Sequence, residues 1–269
     1  MIGAIGGGPA ATPPADPPPV LTGPLSLVIP AHNEALSIGG VVSAACATLV
    51  RLAPTFEIIL VDDGSSDGTV EVARAAMGPW AGRLRIVGHR HKSGYGRSVA
   101  DGLNAATGAV VGFVDGDGQL DVRDLSLLAV RLGEADLVTG VRGRRADPWF
   151  RLLISGVFNV LVRLLYGIGV RDIDCGLKLM KREVLDAAAP LLARSALLNT
   201  ELFFKAGRSG LRVEQVLVPH HPRRAGVRSG GRLVPILRAV RELFTLRVRL
   251  ARTWKPPRGG GASTSSRNC

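Results

Sequence analysis

The sequence predicts an α/β fold: a mostly parallel sheet with flanking helices. Three observations carry that expectation. Short apolar runs of strand length alternate along the chain with stretches of helical periodicity. The runs are hydrophobic almost throughout, as strands buried on both faces are, rather than alternating apolar and polar. A cluster of polar and small residues follows each run, always at its C-terminal end. Such an alternation builds parallel strands joined by right-handed crossovers.

Residues 25–30 (LSLVIP) form the first strand, and a helix follows over 36–52. Residues 56–61 (FEIILV) are the second strand, with a helix after Asp67. A short third strand, 84–87 (LRIV), leads to a helix over 95–106. The apolar segment 108–113 opens a fourth strand that ends at Asp115. A helix over 122–131 and a fifth strand over 135–141 complete the alternation.

At 269 residues the chain suits one large domain, or a domain with an appendage. Hydrophobic residues make up 46% and mean hydropathy is +0.22, so a full core is available. Aromatics are only 4%, which leaves that core to Leu, Val, Ile and Ala. The expected division is a Pro/Gly/Ala-rich arm (1–23), a central domain (24–232), a basic amphipathic helix (233–254) and a polar tail (255–269). The arm lacks a basic n-region and a sustained apolar stretch, so it does not read as a signal peptide. Cys46, Cys175 and Cys269 are isolated thiols without metal or redox spacing, as in a reducing compartment.

The formal charge of +12 and a pI near 10.8 imply an anionic partner. Nucleic acid is disfavoured, because the strand ends are rich in carboxylates that would repel a phosphate backbone. There is no Gly-x-Gly-x-x-Gly at the first strand–helix turn and no Walker pattern, which argues against a dinucleotide dehydrogenase or a P-loop NTPase. In parallel sheets ligands bind beyond the carboxyl ends of the strands. Four loops fall there: 31–34 (AHNE), 62–67 (DDGSSD), 89–92 (HRHK) and 115–117 (DGD). In the last, Asp115, Gly116, Asp117, Gly118 and Gln119 suit a divalent cation carrying a diphosphate, or else a plain Asp-Gly turn. The loop 92–97 (KSGYGR) reads equally as a phosphate cradle or as the opening of a helix.

Taken together and in order, IPAHNE (29–34), VDDGSSDGT (61–69), the 92–97 glycine loop and VDGDGQ (114–119) resemble the family 2 glycosyltransferases. The resemblance is greatest to the polyprenyl-phosphate sugar synthases, the group that holds dolichyl-phosphate mannose and glucose synthases, and it covers about 24–232. It implies a glycosyltransferase A-type, Rossmann-like fold and inverting transfer of a hexose from GDP-mannose or UDP-glucose to a polyprenyl monophosphate. Mg²⁺ or Mn²⁺ is the implied cofactor, held by Asp117 and Gln119. Pro30, His32 and Glu34 would border the nucleotide; the family usually has Tyr where His32 stands. Val61 and Asp63 would hold base and ribose, and Asp115, Gly116 and Asp117 would meet ribose and diphosphate. Arg142 would contact the sugar-phosphate and, with Asp115 and Asp117, form the catalytic set. Arg151 and Ser155 match the acceptor-phosphate pair, and Arg223, with Arg228 for a missing Lys, matches the donor clamp. The segment 172–178 (DIDCGLK) would support the site, mainly through Asp174. A family 2 enzyme with a different acceptor is the alternative, and a basic nucleic-acid-binding protein the remote one.

Two further stretches, 149–170 and 233–254, mix Leu, Val and aromatic residues with arginines. They read as amphipathic helices at a membrane interface rather than as spans; for the second, a docking helix with a solvated basic face fits equally. The expected location is cytoplasmic, peripheral on an anionic inner membrane face.

Overall fold

The computed structural model describes residues 20–143, 149–222 and 233–256. Its centre is a seven-stranded sheet. The strands are β1 (Leu25–Ala31), β2 (Phe56–Asp62), β3 (Leu84–Gly88), β4 (Val110–Val114), β5 (Leu137–Arg142), β6 (Leu177–Lys181) and β7 (Val213–Val218). They lie in the order β3-β2-β1-β4-β6-β5-β7. Pairs β1–β2, β1–β4, β2–β3 and β5–β7 are parallel. The helices are α1 (Ala35–Leu52), α2 (Thr69–Ala76), α3 (Tyr95–Ala105), α4 (Leu125–Leu132), α5 (Trp149–Tyr166), α6 (Arg182–Ala188), α7 (Leu197–Arg208) and α8 (Leu233–Thr253).

Strand alternation divides the interior into two cores. Leu27, Ile29, Ile58 and Leu60 face one side, where α1 and α4 cover them. Val28, Ile59, Val61, Val111 and Phe113 face the other, under α3, α5, α7 and α8. Successive side chains point to opposite faces, so strands apolar at every position must be covered twice. Helix α1 is the one described helix long and apolar enough to cross a membrane. It instead connects the paired parallel strands β1 and β2 and buries Ile38, Val42, Ala45 and Leu49 against the sheet.

The first five strands follow the sequence expectation within a residue or two. The helix expected over 122–131 starts as a 3-10 turn, Val122–Asp124, before α4. A larger difference is β6, which runs antiparallel to both neighbours, β4 and β5. The chain reaches β6 through the loop 167–176 from the carboxyl edge of the sheet, so the strand must run opposite to the rest. This reversal delivers Asp172, Cys175 and Gly176 to the mouth of β4: the Asp115 amide donates to Gly176 O at 3.2 Å.

Candidate active site

At the carboxyl ends of β1, β2 and β4 lies a cavity of about 320 Å³. Pro30, His32, Glu34, Asp63, Lys92, Tyr95, Asp115, Gly116 and Asp117 line it. Of the described residues expected at the nucleotide-sugar site, Val61 and Arg142 do not line this cavity. Val61 shows why most plainly. It is fully buried in the second core, because one step along β2 from Asp62 turns its side chain toward α3.

The loops after β1 and β2 are latched to each other. Asn33 adopts a left-handed φ of 55°, a conformation that Asn tolerates better than most residues. Its Oδ1 accepts from Ser66 N (2.9 Å), while Ser65 Oγ accepts from Asn33 N (2.9 Å). Helix α1 has no capping side chain of its own. Its entry is satisfied from the other loop, with Glu34 N donating to Thr69 Oγ1 (2.9 Å) and Ala35 N to Asp67 Oδ2 (3.0 Å). His32 is left with Nδ1 buried and unpartnered, at the cavity wall.

Asp63 organises the next wall. Its carboxylate accepts from Ser93 N (2.6 Å), Gly94 N (2.9 Å) and His89 Nδ1 (2.8 Å). Burial opposes its ionisation, yet these hydrogen bonds prevail and hold the carboxyl below its ordinary value. The glycine loop therefore presents its amides to a protein carboxylate as it opens α3, which decides between the two sequence readings of 92–97 in favour of the helix opening. A carboxylate offers about four acceptor positions, so one on Asp63 stays available to a ligand.

The centre is Asp115. Its Oδ1 is shut off from solvent and has no hydrogen-bond partner, and the buried Tyr95 hydroxyl bonds to its carboxylate. Burial first, and then the Asp117 carboxylate, push Asp115 up to about 6, against the pull of Tyr95, Lys178 and Arg142. Gly176 leaves room for it, since a Cβ there would overlap the Asp115 carboxylate and force that side chain aside. Below lies Lys178, wholly buried, 4.9 Å from the Phe113 ring, its ammonium bonded to Cys175 O. Burial lowers its pKa, while the nearby Cys175 and the carboxylates of Asp174 and Asp115 oppose the fall. Asp117 Oδ1 accepts from Gln119 N (3.0 Å), and Gln119 Nε2 reaches His221 O (3.4 Å).

Arg142, at the end of β5, is gripped in a fork: Nε and Nη2 each lie 2.7 Å from Asp172, whose Oδ2 also takes the Arg142 amide (3.1 Å). The sequence reading favoured Asp174 in this segment; the guanidinium partner is Asp172. Asp174 acts electrostatically on Tyr95, Arg142 and Lys178. Tyr95, Gly176 and Asp172 join the site from the segments 92–97 and 172–178, whose pattern alone gives none of the three a role. Arg151 and Ser155 fall on α5 one turn apart, with side chains outside the described residues. Arg223 and Arg228 lie outside them altogether.

Two carboxylates at one strand end, one of them protonated with unusual ease and carrying an unpartnered oxygen, form a site that fits a divalent cation. Among the described residues, no three His, Cys, Asp or Glu side chains converge as a protein-only metal site would require. A cation here would complete its shell from phosphate oxygens and water. A second groove, of about 740 Å³, shares Asp117 with the cavity and runs between Leu36, Ser37, Leu120, Arg123 and His221.

A mostly parallel sheet with an acidic pair beyond β4 defines an α/β domain with a candidate cation site at its carboxyl edge, and comparison with known proteins makes the class specific. Residues 26–188 match the model of glycosyl transferase family 2, and the chain belongs to that family. It is 32% identical over 222 residues to dodecaprenyl-phosphate galacturonate synthase of Rhizobium johnstonii, covering 79% of this chain and 63% of that protein. To undecaprenyl-phosphate 4-deoxy-4-formamido-L-arabinose transferase of Aeromonas hydrophila it is 31% identical over 164 residues, covering 61% and 50%. The chain thus spans about half to two thirds of these relatives' length. Among solved structures, glucosyl-3-phosphoglycerate synthase of Mycobacterium tuberculosis with Mn²⁺, UDP-glucose and phosphoglyceric acid aligns with a TM-score of 0.62. Identity there is 23%, with 88% of this chain and 82% of that one covered, and the likeness establishes the glycosyltransferase A-type fold.

Proposed function

We propose that the chain transfers a sugar from a nucleotide diphosphate sugar to a polyprenyl monophosphate, working from the surface of an anionic membrane. The observation that carries this reading is the Asp115–Asp117 pair with its unpartnered buried oxygen, set in a family 2 domain. The names of the relatives supply the acceptor class. The nucleotide occupies the cavity walled by Pro30, His32, Glu34 and Asp63, and its diphosphate points to Asp117, where cavity and groove meet. His32 Nδ1 and the remaining Asp63 position are the polar contacts open to base and ribose.

A divalent cation held by Asp117 and Gln119 would neutralise charge on the departing diphosphate. Asp115, anchored by Tyr95, keeps its carboxylate in line with that site. Arg142, fixed by Asp172, offers its remaining N–H groups to phosphate oxygens of the donor. The acceptor phosphate oxygen attacks the anomeric carbon as the bond from that carbon to the diphosphate oxygen breaks, and the electron pair leaves with the nucleoside diphosphate. A phosphate monoester is already anionic near neutral pH, so no general base is required. Arg151 and Ser155 are assigned to that phosphate and Arg223 and Arg228 to the donor diphosphate, and inversion follows from the single displacement. Peripheral attachment on the cytoplasmic face fits the net charge of +12.

The test is a thermal-shift screen of UDP and GDP with Mn²⁺, followed by transfer assays with both donor classes. Stabilisation by one nucleotide, lost in Asp117→Ala, is the expected result; no response to any nucleotide would sink the reading. Arg151→Ala separates the acceptor assignment, because unchanged transfer to polyprenyl phosphate would refute it while leaving the donor site standing.

A further inference from the structure

A third cavity, of about 580 Å³, lies on the helical side of the molecule where α5 and α7 end against α8. It shares no lining residue with the donor cavity or its groove. Tyr166, Phe204 and Trp254 give it aromatic walls, with Tyr166 edge-on to Phe204 at 5.5 Å and Trp254 tilted against Phe204 at 6.1 Å. Arg208 and Arg247 supply its charge, and among the described residues no carboxylate lines it. Arg247 is fixed in place, with Nε donating to Leu165 O at 3.1 Å and its guanidinium 5.3 Å from the Phe204 ring centre. Arg208 is exposed and makes no ion pair among the described residues. An anchored guanidinium, a free one and an apolar floor form a receptor for an anion attached to something greasy.

The surface around the cavity has the same character. On α8, Leu243, Leu246 and Leu250 are buried, while Phe244 (49% exposed) and Val248 (50%) stand out of the helix. Arg241, Arg249 and Arg252 are exposed beside them. On α5, Val160 (53%) and Leu164 (78%) project one turn apart. The two helices that carry these side chains are tied by the Tyr166 hydroxyl donating to Leu243 O (2.7 Å) and by Arg247 on Leu165 O. Exposed aliphatic and aromatic side chains ringed by arginines suit the interface of an anionic bilayer.

We propose that this cavity binds the phosphodiester headgroup of an anionic glycerophospholipid, so that the α5–α8 face docks on the bilayer through a built site and not by charge alone. Arg208 and Arg247 take the phosphate oxygens, the aromatic walls and Ala251 flank the glycerol, and Phe244, Val248 and Leu164 meet the acyl region. The inference rests on the bilayer partner proposed above and is independent of the transfer chemistry.

Two measurements on the full chain test it: thermal shift with a short-chain, monomeric phosphatidylglycerol, and sedimentation with phosphatidylcholine vesicles with and without phosphatidylglycerol. The soluble lipid should raise the melting temperature where inorganic phosphate and short-chain phosphatidylcholine do not. Arg208→Gln and the cavity-filling Ala251→Phe should both abolish that shift while retaining stabilisation by nucleotide with Mn²⁺. Arg252→Gln, outside the cavity, should keep the shift and lose only about fivefold in vesicle binding, as one surface charge does. An undiminished shift in Arg208→Gln, or an equal response to inorganic phosphate, overturns the headgroup site. Self-association without any lipid response overturns it in favour of a second copy covering the face. A lipid shift without any nucleotide shift would uphold the site and remove the transferase reading instead.

Discussion

Asp115 sits where burial and a like charge meet, and the consequence is measurable without substrate. Its pKa in the folded protein, about 6, exceeds the ordinary value of 3.8. A raised pKa favours the fold below the ordinary value, and that benefit disappears as pH climbs through the folded value. For the metal-free protein, the ionised Asp115 above pH 7 therefore costs about 3 kcal/mol relative to a pH well below 3.8, and about 2 kcal/mol relative to pH 4, at 1.36 kcal/mol per unit. Asp115→Asn should be more stable than the parent in urea at pH 8, should match it near pH 4, and should be inactive. Equal stability at both pH values would show that the carboxylate is not under electrostatic stress. Asp172 works at the same scale through another group. With Asp172→Asn the Arg142 fork loses its bidentate partner, and turnover should fall about 100-fold, the scale of a small misplacement at a reacting centre. Affinity for nucleotide with Mn²⁺ should fall as well, since Arg142 is assigned to the donor phosphates and Asp172 holds it; unchanged turnover and affinity would show that the fork does not position Arg142 for the donor.

The glycine loop and α3 show how one element sets another. At Gly96 a Cβ would run into the backbone of Arg194 and Ser195, and Arg97 N donates to Arg194 O at 3.2 Å. Gly96→Ala must push α3 off the 194–195 backbone, at an overpacking cost of about 1–3 kcal/mol. Because Ser93 and Gly94 hold Asp63, and Tyr95 holds Asp115, the nucleotide affinity should drop together with the melting temperature. The same contacts explain how far the sequence could be read. Strands β1, β2, β4 and β5 were legible because largely buried apolar runs leave few alternatives, and the half-exposed edge strand β3 because it keeps their alternation with helices. Strand β6 was not, since Lys178 and Lys181 interrupt LKLMK, and it takes the carbonyls of Ile173 and Cys175 and the rings of Phe113 and Phe203 to make Lys178 an interior residue. Helix α7 hid its burial similarly: Glu201 and Lys205 look like a solvated i,i+4 pair, yet both are fully buried, paired at 2.7 Å, and bonded to backbone groups between residues 188 and 193. Within the site, Asp115 and Asp117 stood out by spacing, whereas Asp172 and Gly176 depend on the direction in which β6 enters the sheet. Strand direction is a tertiary outcome that local pattern does not encode.

At the scale of the whole molecule, the question is where the folding unit ends. The sequence suggests a domain over 24–232 with a basic helix appended to it. In the structure, α8 contributes Leu243, Leu246, Leu250 and the adjoining Trp254 to the second core, against Tyr166, Phe204 and the rest of the α5–α7 layer. Trp254 Nε1 donates to Ala187 O at 3.2 Å, and Tyr166 donates to Leu243 O, so the helix is bonded to α6 as well as α5. Burying an aliphatic or aromatic side chain is worth about 1.5–3 kcal/mol. Four of them amount to about 6–12 kcal/mol, an upper estimate because unfolded chains already bury part of this surface. A whole domain is stable by only about 5–15 kcal/mol. Even a discounted loss would bring the remainder close to the threshold of unfolding. A chain ending at residue 232 should therefore unfold at much lower urea concentration than the full chain, or be recovered only as aggregate. Leu246→Ala should give the graded version, losing about 2–5 kcal/mol with an unchanged urea m-value. If the shortened chain kept the full urea midpoint, α8 would be an appendage, and the second core would have to close beneath it without help.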